Sequence, residues 1–142
     1  IKDVVALYQH EEQRVQFHLK LVAGPPGLEA DSGQLRQLLH NLVVNSSEAV
    51  AENKQTHVYI RTRLINQAGK KWLELEIRDG GPGYPVAVLE KPFEPYVTFK
   101  TNGSGLGLAI CKKIVAEHDG RINIHNPSIG GACTTIILPL AQ

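Results

Sequence analysis

An α/β sandwich with largely antiparallel strand pairing is the fold this sequence predicts. Its patterned segments run helix, strand, helix, paired strands, helix, paired strands. Two alternating runs, THVYIRTRLI and KKWLELEIRD, stand either side of NQAGK, which is hairpin spacing. Between residues 34 and 52 apolar side chains recur with a helical period. At 142 residues the chain fits one domain and can bury a sizeable core.

IKDVVALYQHEEQRV places Val4, Val5 and Leu7 at helical positions and ends in a polar tail. VQFHLKLVA alternates as a strand does, and GPPGLEADSG is a turn-rich loop. Leu35, Leu38, Leu39, Leu42, Val43, Ala49 and Val50 then follow the i, i+3, i+4 rule, the clearest helix of the chain. Asp31, with Gln34 three residues later, has the form of a capping box for it. After the hairpin, DGGPGYP breaks the pattern, and residues 84–104 form a long connection with little periodicity of its own. Loops of that length in a compact domain are usually functional or mobile. A helix from about Leu106 to His118 follows, and the strands RINIHN and CTTIILPL close the chain around an IGG turn.

Composition excludes several classes. A net charge of +1 offers none of the basic field that nucleic acid requires, and no apolar run approaches the length of a membrane span. Cys111 and Cys133 lack metal-ligand spacing and read as buried small hydrophobes in a reducing compartment. The chain has no methionine and begins at Ile1 inside a helical pattern, so it is expected to be a piece of a longer protein.

Three segments carry chemistry. On the long helix, Asn41, Asn45 and Glu48 form one stripe beside the apolar one, and stacked amides and a carboxylate can hold a hard cation and its waters. Their spacing alone favours a solvated helix face. In KWLELEIRD, Asp79 alternates onto the face of Leu73, Leu75 and Ile77, which predicts a buried carboxylate in need of a donor. Gly80, Gly81 and Gly83 then clear side chains from where a flat ligand could lie, and such a carboxylate can accept from an exocyclic amine of adenine. An isolated DGG favours a plain glycine-rich turn. The third segment, NGSGLGLAI, enters a helix through glycines. It is neither a P-loop nor a dinucleotide fingerprint, because Gly-Lys-Ser/Thr is missing and no buried strand precedes it. It shares with both the free N–H groups and dipole of a helix N-terminus, which favour phosphate.

Taken together, HNLVVNSSEA, DGGPG, KPFEPYVTFK and GSGLGLAI resemble, in order and spacing, the asparagine, first glycine, phenylalanine and second glycine boxes of the histidine-kinase catalytic domain. The resemblance spans nearly the whole chain. Within the family, EPYVTFK leading into GSGLGLAICKKIVAEHDG is most similar to the nitrogen-regulation (NtrY and NtrB) type. The fold it implies is the α+β Bergerat sandwich. There a mixed, mostly antiparallel sheet is covered on one face by about three helices, with a mobile ATP lid.

The resemblance implies ATP and Mg²⁺ as cofactors, with Asn45 the metal ligand and Asn41 beside the phosphates or metal-bound waters. Asp79 would accept from the adenine amino group, with Gly81 and Gly83 making room for the ring and Thr134 nearby. Phe93 would pack under a lid spanning residues 84–104. Gly103, Gly105 and Gly107, with Leu106 and Leu108 among them, would close it over the phosphates, and Lys100 could meet their charge. Glu48 stands where many relatives carry Lys or Arg, and would orient a metal-bound water or the incoming histidine. Cys133, where many relatives have glycine, implies a packing difference only. Gyrase-type ATPases and MutL share the fold but place a glutamate where this chain has Asn41. An amide cannot act as a base at neutral pH, which favours phosphoryl transfer to a protein side chain over hydrolysis.

The resemblance therefore implies a protein-histidine kinase domain, cytoplasmic and compatible with an inner-membrane sensor. Its partners would be a dimerisation and histidine-phosphotransfer domain and a response-regulator receiver, in a homodimeric full-length protein without nucleic acid. A nucleotide-sensing module without transfer and an anti-sigma-type serine kinase remain as alternatives. His10, followed by Glu11, lacks the proline expected five residues on, where Val15 stands, and is not expected to be the acceptor. His118, at a helix end, is expected to cap carbonyls.

Overall fold

The computed structural model describes residues 16–22, 32–52, 57–93 and 107–140. The opening helical pattern, Asp31, residues 94–104 of the expected lid, and residues 105–106 lie outside that range. Eight elements follow in chain order among the described residues. Strand β1 (Gln16–Lys20) precedes helix α1 (Ser32–Glu52), the hairpin strands β2 (His57–Gln67) and β3 (Lys70–Asp79), and a short helix α2 (Val86–Glu90). Helix α3 (Gly107–Glu117) leads into the closing strands β4 (Arg121–His125) and β5 (Ala132–Pro139).

The strands form one sheet in the order β1-β2-β3-β5-β4. Among the described strands only β1 and β2 pair in parallel; the other three ladders are antiparallel. The mixed, mostly antiparallel α+β sandwich is therefore as expected. Residues 84–104 differ in one respect, because the connection contains α2, whose Val88 is buried. A five-residue helix shows too few turns for a period to register in sequence.

The β2–β3 turn takes two residues, Ala68 and Gly69, at φ 52° and 75°. Positive φ at both positions matches the right-handed twist of the strands it joins. Register then decides the faces. Val58, Ile60 and Thr62 of β2 oppose Asp79, Ile77 and Leu75 of β3, while Ile77 and Leu75 oppose Thr134 and Ile136 of β5. These side chains share the face that α1 and α3 cover. Leu38, Leu42 and Val43 of α1 and Cys111, Ile114 and Val115 of α3 fill the space between the layers. Each fully buried aliphatic side chain there contributes about 1.5–3 kcal/mol. The opposite sheet face is polar, with Arg61 against Glu76 at 3.0 Å and Arg63 against Glu74 at 2.6 Å across the hairpin.

Helix α3 ends in a compact left-handed cap. Gly120 N–H donates to the Val115 carbonyl and Asp119 N–H to that of Ala116, with Asp119 at φ 58°. His118 Nδ1–H donates to the Ile114 carbonyl at 2.8 Å, the carbonyl-capping role expected of it. A side chain at Gly120 would run into the Ile137 carbonyl of β5, so the helix can reach β4 this closely only through glycine.

Candidate functional site

The N-terminus of α3 meets the middle of α1, and Asp79 stands at the C-terminal end of β3. Helix α1 presents Asn41 and Asn45 one turn apart beside its buried stripe of Leu38, Leu42 and Val43, so the core packing that holds the helix also orients both amides. A methyl group built on Gly107, the first residue of α3, would lie 3.7 Å from both Oδ1 and Nδ2 of Asn45. The second glycine box thus opens its helix directly against the asparagine box, although the two are distant in sequence. The first N–H groups of a helix have no intrahelical partner, and those of α3 begin at this junction.

The Asn41 amide nitrogen is buried and has no hydrogen-bond partner among the described residues. A buried donor left without an acceptor costs about 1–3 kcal/mol. A phosphate oxygen or a phosphate-bound water would satisfy it. Glu48 lies in α1, but its side chain is outside the described part, as are Lys100, Gly103, Gly105 and Leu106. Leu108 follows Gly107 in the first turn of α3 and is half-buried.

Asp79 ends β3 on the core face, 7% exposed, in register with Val58 and Ala132. The alternation of KWLELEIRD placed it there, with Leu75 and Ile77 buried ahead of it. Burial pushes its carboxyl above the usual carboxylate range, and backbone hydrogen bonds from Gly81 and Ala132 oppose part of that shift. The Gly81 N–H donates to Asp79 Oδ1 at 2.9 Å, so the carboxylate does initiate the glycine-rich turn. A carboxylate offers about four lone-pair directions, and two backbone donors leave acceptor capacity for a ligand amine.

Around it, Thr134 is buried on the same face of β5. Gly83 takes φ 88°, open to glycine without strain, and turns the chain away from the strand end. Phe93 packs against the edge of the core with the Lys112 ammonium 5.4 Å from its ring centre. Of the residues expected at the site, Asn41, Asn45 and Gly107 group at the α1–α3 junction, and Asp79, Gly81, Gly83 and Thr134 at the β3–β5 end.

Three participants were not singled out in the sequence. Tyr84 donates or accepts a 2.7 Å hydrogen bond with Thr134 Oγ1, and burial pushes its phenol up to about 12. Asn126 bonds the Tyr84 backbone, and Gly131 packs on the Asp79 carbonyl. The only local signals are turn-type residues in YP, NP and GG, because every partner lies some 42–52 residues away.

Residues 30–142 match the family described as histidine kinase-, DNA gyrase B-, and HSP90-like ATPase. The chain belongs to that family. Within it, the similarity lies with sensor histidine kinases. The chain is 37% identical over 132 residues to the C4-dicarboxylate transport sensor protein DctS of Rhodobacter capsulatus, covering 92% of this chain and 20% of that protein. It is 38% identical over 107 residues to the sensory histidine kinase/phosphatase NtrB of Rhizobium leguminosarum bv. phaseoli, covering 68% of this chain and 28% of that protein. The resemblance to the nitrogen-regulation type is thus matched by NtrB, while DctS matches equally well. Full-length ShkA, solved in complex with AMPPNP, superposes with a TM-score of 0.80 at 25% identity, over 99% of this chain and 29% of that one. The chain thus spans less than a third of these relatives, and its histidine-kinase-like fold accounts for one segment of them. No described helix is long and apolar enough to cross a membrane.

Proposed function

We propose that this domain binds MgATP and supplies the γ-phosphoryl group to a histidine on a separate dimerisation domain, within a two-component sensor kinase. The observation that carries the reading is the junction of Asn45 with Gly107, with the Asn41 amide, unpartnered among the described residues, on the same helix. An amide oxygen, an amide donor and a helix N-terminus at one junction support a triphosphate there. The adenine would lie at Asp79, whose buried carboxylate accepts from an exocyclic amine, with Gly81, Gly83 and Thr134 around the ring.

Asn45 suits Mg²⁺, a hard cation that takes few protein oxygens and keeps several waters. When bound, Mg²⁺ would neutralise charge on the β- and γ-phosphates. The chain's own residues position: Asn41 and the α3 N–H groups orient the phosphates, and Asp79 sets the base. In transfer, an imidazole nitrogen forms the bond to Pγ while the bond from Pγ to the bridging oxygen breaks. ADP leaves with that electron pair and the imidazole proton is released. At the position where a water-activating carboxylate would stand, Asn41 carries an amide, so hydrolysis should be slow. The same reading makes the domain cytoplasmic, the full-length protein a homodimer, and a response-regulator receiver the next phosphoryl acceptor. The ShkA complex with AMPPNP supports a nucleotide at this fold.

The test is incubation with γ-labelled ATP, Mg²⁺ and a separately prepared dimerisation domain. Label on that domain's histidine is expected, with Asn45→Ala abolishing both transfer and Mg²⁺-dependent binding in calorimetry. Binding without any transfer would leave a nucleotide-sensing module, and unchanged binding in Asn45→Ala would overturn the metal assignment.

A further inference from the structure

The turn that follows Asp79 is held from a distance by one side chain. Tyr84 N–H donates to Asn126 Oδ1 at 2.7 Å, and Asn126 Nδ2 donates to the Tyr84 carbonyl at 2.8 Å. A carboxamide that pairs with both backbone groups of one residue reproduces the two-bond pairing of an antiparallel ladder. The pairing also fixes the amide's orientation, since a carbonyl can only accept and an N–H can only donate. Asn126 follows β4 directly, so it ties the first glycine turn to the β4–β5 connection, 42 residues along the chain.

Two glycines make that approach possible. A Cβ on Gly83 would sit 3.0 Å from Asn126 Cγ and from the Gly131 carbonyl oxygen. A Cβ on Gly131 would overlap the carbonyl of Asp79 itself. The two turns are therefore packed backbone to backbone, and the Asn126 amide is the polar link between them. Beyond the link, the Tyr84 hydroxyl meets Thr134 Oγ1 at 2.7 Å, and Tyr84 lies close enough to Asp79 to feel its charge.

We infer that Asn126 is a positioning residue for nucleotide-base recognition, clasping the Tyr84 backbone so that Tyr84 and Thr134 are held against Asp79. It touches no ligand, and acts through Tyr84. The inference rests on the reading of Asp79 as the base acceptor. It separates the two ends of the site, because the clasp lies at the β3–β5 end and Asn41, Asn45 and Gly107 do not depend on it.

The experiment titrates the domain with MgATP, with adenosine, and with Mg-tripolyphosphate, comparing wild type with Asn126→Ala, Asn126→Asp and Asp79→Asn. Asn126→Ala should weaken ATP and adenosine alike by about tenfold, while tripolyphosphate binding is unchanged. Asn126→Asp keeps the shape and the acceptor for Tyr84 N–H but sets a carboxylate oxygen against the Tyr84 carbonyl, so it should not restore affinity. A residue that only shaped its own turn would be replaced freely by Asp. Restored affinity in Asn126→Asp, unchanged affinity in Asn126→Ala, or an equal loss for tripolyphosphate would each overturn the clasp. Loss of adenosine binding in Asp79→Asn beside unchanged binding in Asn126→Ala overturns the clasp alone. Undiminished adenosine binding in Asp79→Asn overturns the base-site reading and the clasp with it. Should Asn126→Ala fail to fold, the near-isosteric Asn126→Asp carries the same comparison.

Discussion

Gly130 and Gly131 form a matched pair for measuring how tightly the β4–β5 turn is packed on Asp79. Both have positive φ, 103° and 80°, so alanine at either meets a conformational penalty of about 1–2 kcal/mol. Their surroundings differ. A Cβ on Gly130 would meet nothing within 4 Å, whereas one on Gly131 would overlap the Asp79 carbonyl oxygen and reach the Gly80 Cα at 3.4 Å. The neighbours of Gly131 are backbone and cannot swing aside, so the turn must move, which adds about 1–3 kcal/mol as overpacking does. Gly130→Ala is therefore expected to cost about 1–2 kcal/mol and Gly131→Ala about 2–5 kcal/mol. Urea denaturation of each variant gives the difference directly, provided the slopes agree. Because the displaced carbonyl belongs to Asp79, Gly131→Ala should also weaken adenosine binding while Gly130→Ala does not. Equal destabilisation by the two substitutions would refute the claim that these turns touch backbone to backbone.

Two more outcomes follow from the site. Burial raises the Asp79 carboxyl above its ordinary value of 3.8, so between that value and the raised one the folded state binds more protons than the unfolded. Stability from this group is complete below 3.8 and is lost as pH rises through the folded value, and Asp79→Asn removes that loss. Thermal unfolding without nucleotide should then show the Asn variant gaining on wild type as pH rises from about 4 to 7, with nucleotide binding lost; a constant difference would contradict the assignment. At Gly107, alanine would make only ordinary contact with the Asn45 amide, so Gly107→Ala should fold normally and still bind MgATP. Gly107→Val pushes a branched side chain toward that amide and should weaken binding about tenfold or more with little change in melting temperature.

Much of the fold was legible because its signals are local. The period of Leu35, Leu38, Leu39, Leu42 and Val43 identified α1, and alternation in KWLELEIRD placed Asp79 on the buried face before any partner was known. Helix α2 escaped notice because five residues cannot display a period. Tyr84 and Asn126 escaped for another reason. Nothing in GYP or HNP tells which of many surface turns will meet, and their hydrogen bonds exist only once β3, β4 and β5 lie side by side.

By itself the sequence determined the types of the long described elements, the faces of β3 and α1, and the four-box order that marks this family, since each depends on residues close in the chain. Tertiary structure alone decided that Gly107 opens against Asn45, that the Asn41 amide is buried without a partner among the described residues, and that Asn126 clasps Tyr84. Those relations are distances between segments far apart in sequence, set by sheet order and by how closely glycine lets backbones approach. No periodicity encodes them.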